Sequence, residues 1–136
     1  MLKRFTVSME DSLLKDFDDF IQERHYQNRS EALRDLIRNR IIEKEWAADK
    51  NVMGVIYLVY DHHQPKLQEK VTELQHGFHH QIVSATHIHM DHDNCLEVII
   101  VRGKAGEVQE LADSLRAMRG VRNSSLSMSS TGQHLH

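Results

Sequence analysis

The chain has 136 residues, 40% of them hydrophobic and 27% charged, with a formal net charge of -3 when histidine is neutral. This composition is typical of a folded protein with one ordinary or two small domains, and the slight acidity argues against an unspecific nucleic-acid binder. No apolar run reaches the ~20 residues of a membrane-spanning helix, the N-terminus lacks a signal-peptide pattern, and one cysteine forms no internal disulfide. We therefore expect a cytoplasmic protein without membrane contact.

Residues 2 to 9 alternate between polar and apolar side chains, which predicts a strand. Its polar face carries Arg4, Thr6 and Ser8. The elements that follow are helical, so no neighbouring strand in the sequence is available to pair with it. We therefore expect it to pair with the same strand of a second chain.

Two helices are predicted next. The first runs from Asp11 to about His25 with apolar residues at helical spacing. Asn28-Arg-Ser-Glu31 is typical of a capping box, so the second helix is predicted to begin there. Five arginines between residues 24 and 40 make this part locally basic. The charged segment 42 to 51 can prolong the second helix, and we place a domain boundary near residue 50.

The pattern of apolar and turn residues from 51 to 128 predicts strands and helices in the order β-α-β-β-α-β, the ferredoxin-like arrangement of an α+β fold. The near-continuous apolar strand that begins at Met53 is expected to be buried on both faces. Pro65 fits the first turn of a helix that ends near Gly77. A sheet with both helices on one face leaves the other face to be covered, so we expect more than a dimer. Residues 129 to 136 are polar and predicted to form a disordered tail.

The segment from His76 to Cys95 contains six of the eleven histidines and the only cysteine. His87 and His89 share one face of a predicted strand, and a turn at residues 90 to 94 would return Cys95 beside them. Two imidazoles and a thiolate suit a late first-row divalent ion. Spacing does not choose between a tetrahedral zinc site and a square-planar nickel or copper site. Candidates for a fourth ligand are His76, His79 and His80.

With both halves placed, the chain resembles the nickel-responsive repressor family (NikR) over residues 1 to about 128. The resemblance rests on the strand and two helices, on N-R-S-E-A at 28 to 32, and on H-x-H followed by Cys95 inside the β-α-β-β-α-β module. It implies a ribbon-helix-helix DNA-binding domain at 1–50, an ACT-type metal-binding and tetramerisation domain at 51–128, and a homotetramer built as a dimer of dimers.

The resemblance also implies where Ni(II) would bind. The metal would lie in a square plane across the tetramer interface, held by His87, His89 and Cys95 of one chain and His76 of another. Hydrogen-bonding partners would orient these ligands. The matching residues are Gln75 and Glu97 and, less closely, Tyr60 and His62.

For DNA, the resemblance implies that two intertwined chains insert their strands into the major groove of a palindromic operator. Arg4, Thr6 and Ser8 would contact base edges, and Arg29 and Ser30 at the start of the second helix would hold a phosphate. The family also holds a cation, commonly potassium, between its domains, where this chain has Glu31 and Asp35. The alternative for these two carboxylates is ion pairing with neighbouring arginines. A single Lys66 stands where some members have several basic residues that touch DNA phosphates.

The sequence thus predicts a nickel-responsive transcriptional repressor that controls nickel uptake genes. An enzyme is the weakest hypothesis, because four protein ligands leave a metal no open position for a substrate. The alternative is a nickel or zinc carrier, or metallochaperone, for which the histidine-rich segment alone would suffice. An antitoxin-like DNA binder would explain the polar strand but not the metal ligands.

Overall fold

The computed structural model describes residues 1–64 and 66–136, and its elements follow the predicted order except for the strand predicted over residues 2 to 9. They are α1 (Asp11–Glu23), α2 (Arg29–Ala47), β1 (Asn51–Asp61), α3 (Leu67–Gly77), β2 (Ile82–His89), β3 (Asn94–Lys104), α4 (Ala105–Arg116) and β4 (Val121–Met128). Two compact units divide the chain, Met1–Asn39 and Arg40–His136. No helix among the described residues is long and apolar enough to cross a membrane. The prediction made for Pro65 lies outside the described residues.

The unit Met1–Asn39 contains α1 and the start of α2. The predicted helix cap is confirmed, since the Asn28 side-chain oxygen accepts a hydrogen bond from the Glu31 N–H at 2.9 Å. Within residues 1 to 39, all of which are described, Ala32 is the one fully buried side chain. Residues 2 to 9 form no strand ladder within the single chain, so the strand stays a prediction that depends on a second copy.

The unit Arg40–His136 is built on a four-stranded antiparallel sheet in the order β2-β3-β1-β4. β1 and β3 pair from Asn51↔Lys104 to Asp61↔Asn94. The predicted hairpin is confirmed, because β2 and β3 pair with His89 opposite Cys95. The end of β1, the end of β2 and the start of β3 therefore meet at one edge of the sheet.

One face of the sheet carries the core. Alternate residues of β1, such as Ile56 and Leu58, are fully buried, and α4 packs against this face through residues that include Leu111. The prediction that β1 is buried on both faces is wrong for the single chain. Val55 and Tyr57 are each 37% exposed, because the helices pack on the opposite face.

The end of α2 belongs to this core. A Cβ on Gly54 would lie 3.3 Å from the ring of Trp46, so glycine allows the indole to approach the strand closely. The Trp46 indole N–H donates to the Ser129 carbonyl at 2.8 Å, and the Ser130 hydroxyl donates to Glu45 at 3.2 Å. The first two residues of the tail predicted to be disordered are thus hydrogen-bonded, and the compact unit begins upstream of residue 50.

Candidate metal centre

Three potential metal donors converge at the edge where β1, β2 and β3 meet. The buried Sγ of Cys95 lies 3.4 Å from Nδ1 of His62 and 3.7 Å from Nδ1 of His89. The ligand atoms of all three residues lie within 4.8 Å of one another. We call His62, His89 and Cys95 the thiol cluster. The sequence predicts His89 and Cys95 as ligands of the same metal, whereas it predicts His62 only as a partner that orients the ligands.

The chemistry of the thiol cluster fits a late first-row divalent ion. Two imidazole nitrogens and a sulfur suit nickel, copper or zinc, while calcium and magnesium prefer oxygen. Burial, and then the negative charges of Glu97 and Asp91, raise the pKa of the Cys95 thiol. The thiol is therefore protonated at neutral pH, and a metal that binds it must displace the proton.

His87 lies in a hydrogen-bonded network next to this cluster. Its Nδ1 is 3.0 Å from the Tyr60 hydroxyl and 3.1 Å from the carboxylate of Glu97, which also accepts a bond from the Gln75 amide at 3.2 Å. A carboxylate partner favours the proton on Nδ1, which leaves the lone pair of Nε2 available to a metal. Burial, followed by the charge of Glu97, raises the pKa of Tyr60, so its phenol stays neutral.

The structure does not bring His76 to the other predicted ligands of the same chain. His76 is exposed near the end of α3, where it lines a cavity of about 720 Å³ together with Tyr60, His62 and His63. Among the described residues it belongs to no three-donor group.

A second group of donors was not predicted as a set. The ligand atoms of His63, His92 and Asp93 also lie within 4.8 Å of one another, and all three residues are exposed. The sequence offered only a weak signal, because His63 and His92 are far apart along the chain.

The predicted DNA contacts Arg4, Thr6 and Ser8 are all exposed in the N-terminal unit. At the start of α2, Ser30 is exposed, but the Arg29 guanidinium donates two hydrogen bonds of 3.0 Å to Asp18. In this state Arg29 is thus held by a carboxylate.

The two acidic residues predicted to hold a cation also have protein partners. Glu31 accepts a bond from Arg34, and Asp35 accepts one from the Tyr26 hydroxyl. Glu31 therefore fits the alternative of an ion pair with a neighbouring arginine, whereas the partner of Asp35 is a tyrosine.

Comparison with known proteins places both halves in defined families. Residues 53–129 match the NikR C terminal nickel binding domain, and residues 3–44 match the ribbon-helix-helix protein, copG family. An uncharacterized protein from Thermotoga maritima has a similar fold, with a TM-score of 0.53 at 16% identity over 58% of this chain and 98% of its own. That likeness concerns the fold alone.

Relatives provisionally named nickel-responsive regulators match almost the whole chain. The protein from Desulfotalea psychrophila is 65% identical over 100% of both chains. Those from Syntrophus aciditrophicus and Geobacter sulfurreducens are 52% and 49% identical, covering 96% and 98% of this chain and 95% and 96% of their own. The chain therefore belongs to the family of nickel-responsive regulators that joins a ribbon-helix-helix segment to a NikR-type C-terminal domain.

Proposed function

We propose that the protein is a nickel-responsive, DNA-binding transcriptional repressor and not an enzyme. One observation carries the proposal: a buried thiol with two converging imidazoles lies in a chain whose N-terminal residues match ribbon-helix-helix proteins. A carrier would need the metal donors but not the ribbon-helix-helix segment, so that alternative is not favoured. The proposed target genes are those of nickel uptake, and the proposed compartment is the cytoplasm, where such DNA would lie.

The proposed nickel ligands are His87, His89 and Cys95 of one chain and His76 of the partner subunit. Support comes from His87, whose Nδ1 faces Glu97 and whose Nε2 remains for a metal. Further support comes from β2, an edge strand on which Ile88 is 43% exposed and which a second copy could cover. Bound nickel would supply a link between ligands of two chains.

The proposed assembly is a homotetramer, a dimer of dimers. In the N-terminal unit the apolar side chains of Phe5, Leu13 and Ile37 are all exposed, although each has the spacing of a core residue. Covering such a surface is favourable by roughly 25 cal/mol per Å² of apolar area removed from water. A second copy covers it symmetrically, and the exposed sheet face at Val55 and Tyr57 offers a surface for further association.

The proposed DNA contacts are made by the paired N-terminal strands in the major groove of a palindromic operator. Arginine bonds guanine through two donors, and the hydroxyls of Thr6 and Ser8 can serve any base. Their exposure and their alternate positions in the sequence support this role. Arg29 and Ser30 are proposed to hold a phosphate. The Arg29 guanidinium must then break its ion pair with Asp18 to bind the DNA phosphate.

Metal control requires that nickel bind the DNA-competent arrangement better than the others, since equal affinity for all states would shift nothing. A potassium ion at Glu31 and Asp35 is kept as a proposal from the resemblance alone. It would have to compete with Arg34 and Tyr26 for the two carboxylates.

The test is DNA binding to upstream sequences of nickel-transport operons, measured by fluorescence anisotropy with and without nickel. Nickel is expected to tighten specific binding by the wild type and to have no effect on His89→Ala. Equal binding under all four conditions would contradict metal control. Absence of any sequence preference would contradict the repressor function itself.

A further inference from the structure

His63, His92 and Asp93, which we call the outer cluster, form an exposed group of donors outside the thiol cluster. His63 follows β1, while His92 and Asp93 lie in the turn between β2 and β3. The His63 Nε2 lies 3.4 Å from Asp93, and the two histidine rings are 5.0 Å apart between centroids. We propose that the outer cluster is a second binding site for a divalent transition-metal ion.

The backbone around the outer cluster is already fixed. The His62 N–H donates to the Asp93 carbonyl at 2.8 Å, which joins the two loops that carry the donors. Each loop is also closed by its own aspartate. Asp61 accepts a bond from the His63 N–H at 2.9 Å, and Asp91 accepts one from the Asp93 N–H at 2.8 Å. A metal would therefore have only side-chain rotamers to order, because the backbone geometry exists beforehand.

The donor set selects the class of ion. Two imidazole nitrogens and one carboxylate oxygen suit zinc, copper or nickel better than the oxygen-preferring calcium and magnesium. Three protein ligands on an exposed surface leave at least one position for water. The outer cluster should thus bind more weakly, and exchange its ion faster, than a site that includes a buried thiolate.

An ordinary surface ion pair between His63 and Asp93 explains only part of this arrangement. Such a pair contributes little to stability and would not require a third donor. The position of His92 against His63, on a turn that Asp91 shapes, is what distinguishes a metal site from the pair alone.

The two clusters lie close together but share no residue. The rings of His62 and His63 approach edge to face, 5.3 Å apart between centroids, yet His62 belongs to the thiol cluster and His63 to the outer cluster. Substitutions can therefore remove one site and leave the donors of the other in place. The outer site also does not depend on DNA binding or on the proposed nickel ligands.

The test counts zinc bound to the full-length protein by equilibrium dialysis and elemental analysis. Since each cluster offers enough donors for one ion, the wild type should bind about two zinc ions per chain. The double variant His63→Gln/His92→Gln should bind about one zinc ion per chain, and so should Cys95→Ser. A variant that carries all three substitutions should bind none. The matched control is His134→Gln, an exposed tail histidine, which should behave as the wild type.

Cobalt(II) identifies which site is lost. The sulfur-to-cobalt absorption band should persist in His63→Gln/His92→Gln and disappear in Cys95→Ser. Circular dichroism verifies that each variant is folded. The proposal is overturned if Cys95→Ser binds no zinc. It is also overturned if the zinc that Cys95→Ser retains is still bound when His63 and His92 are replaced as well.

Discussion

The Nδ1 of His62 lies 3.4 Å from the Sγ of Cys95, closer than the 3.7 Å that separates the thiol from His89. Within one chain His62 therefore occupies a position from which it could bind the same metal as the thiol. His87, in contrast, is oriented by Tyr60 and Glu97 and presents its other ring nitrogen. Two sets of nickel ligands are thus possible, one that includes His62 and one that includes His87, and substitution of each histidine distinguishes them.

The first prediction separates these sets. If His87 binds nickel and His62 only neighbours the thiol, His87→Gln should lower nickel affinity by more than the roughly 10–100-fold typical of losing an orienting partner. His62→Gln should change affinity by less than about tenfold. Competition with a chelator measures both. The reverse order would assign the nickel site to the thiol cluster.

A second prediction concerns the carboxylate behind His87. Glu97→Gln removes the charge that holds the His87 proton on Nδ1, so nickel affinity should fall roughly 10–100-fold. The exposed Glu73 on α3 provides the control, because Glu73→Gln should leave affinity unchanged. Unaltered nickel binding by Glu97→Gln would show that the network does not orient the ligand.

The third prediction separates the two faces of the N-terminal strand. Val7→Asp places a charge on the apolar face and should weaken self-association, observed by sedimentation as smaller species at low protein concentration. Thr6→Ala on the polar face should leave self-association intact. It should weaken operator binding by about 1–3 kcal/mol. If Val7→Asp assembles normally, that face is not the subunit contact.

A fourth prediction follows from the ion pair between Asp18 and Arg29. The hydrogen bond from Arg29 lowers the pKa of Asp18 below its usual value. The stabilisation is therefore fully present above the unfolded-state pKa of about 3.9 and is lost as pH falls through the lower folded-state pKa. Asp18→Asn should reduce the free energy of unfolding at neutral pH. Its difference from the wild type should shrink in acid, as urea titrations at several pH values would reveal.

The fifth prediction tests the turn before β4. Gly120 has a φ of +100°, and a Cβ there would lie 2.8 Å from side-chain atoms of both Gln64 and Leu67. Gly120→Ala should therefore destabilise the protein by about 1–3 kcal/mol in urea unfolding. Gly77→Ala is the matched control, since a Cβ at Gly77 meets nothing within 4 Å. Equal stability of the two variants would contradict this account of the turn.

Local patterns in the sequence determined the elements of this protein and part of its site. The side chain of Asn28 begins α2 because capping depends only on residues three positions apart. The pairing of His89 with Cys95 was equally accessible, since a short turn fixes the register of a hairpin.

The tertiary structure decided what depends on contacts between distant segments. The pairing of β1 with β3 brings His62 to Cys95 and His63 to His92. The periodicity of a helix or strand relates only residues close in the sequence, so it does not predict these contacts. Apolar character predicted that β1 would be buried, but only helix packing determined which face is covered within one chain. The sequence by itself therefore specified donors and elements, while long-range strand pairing chose which donors share a site.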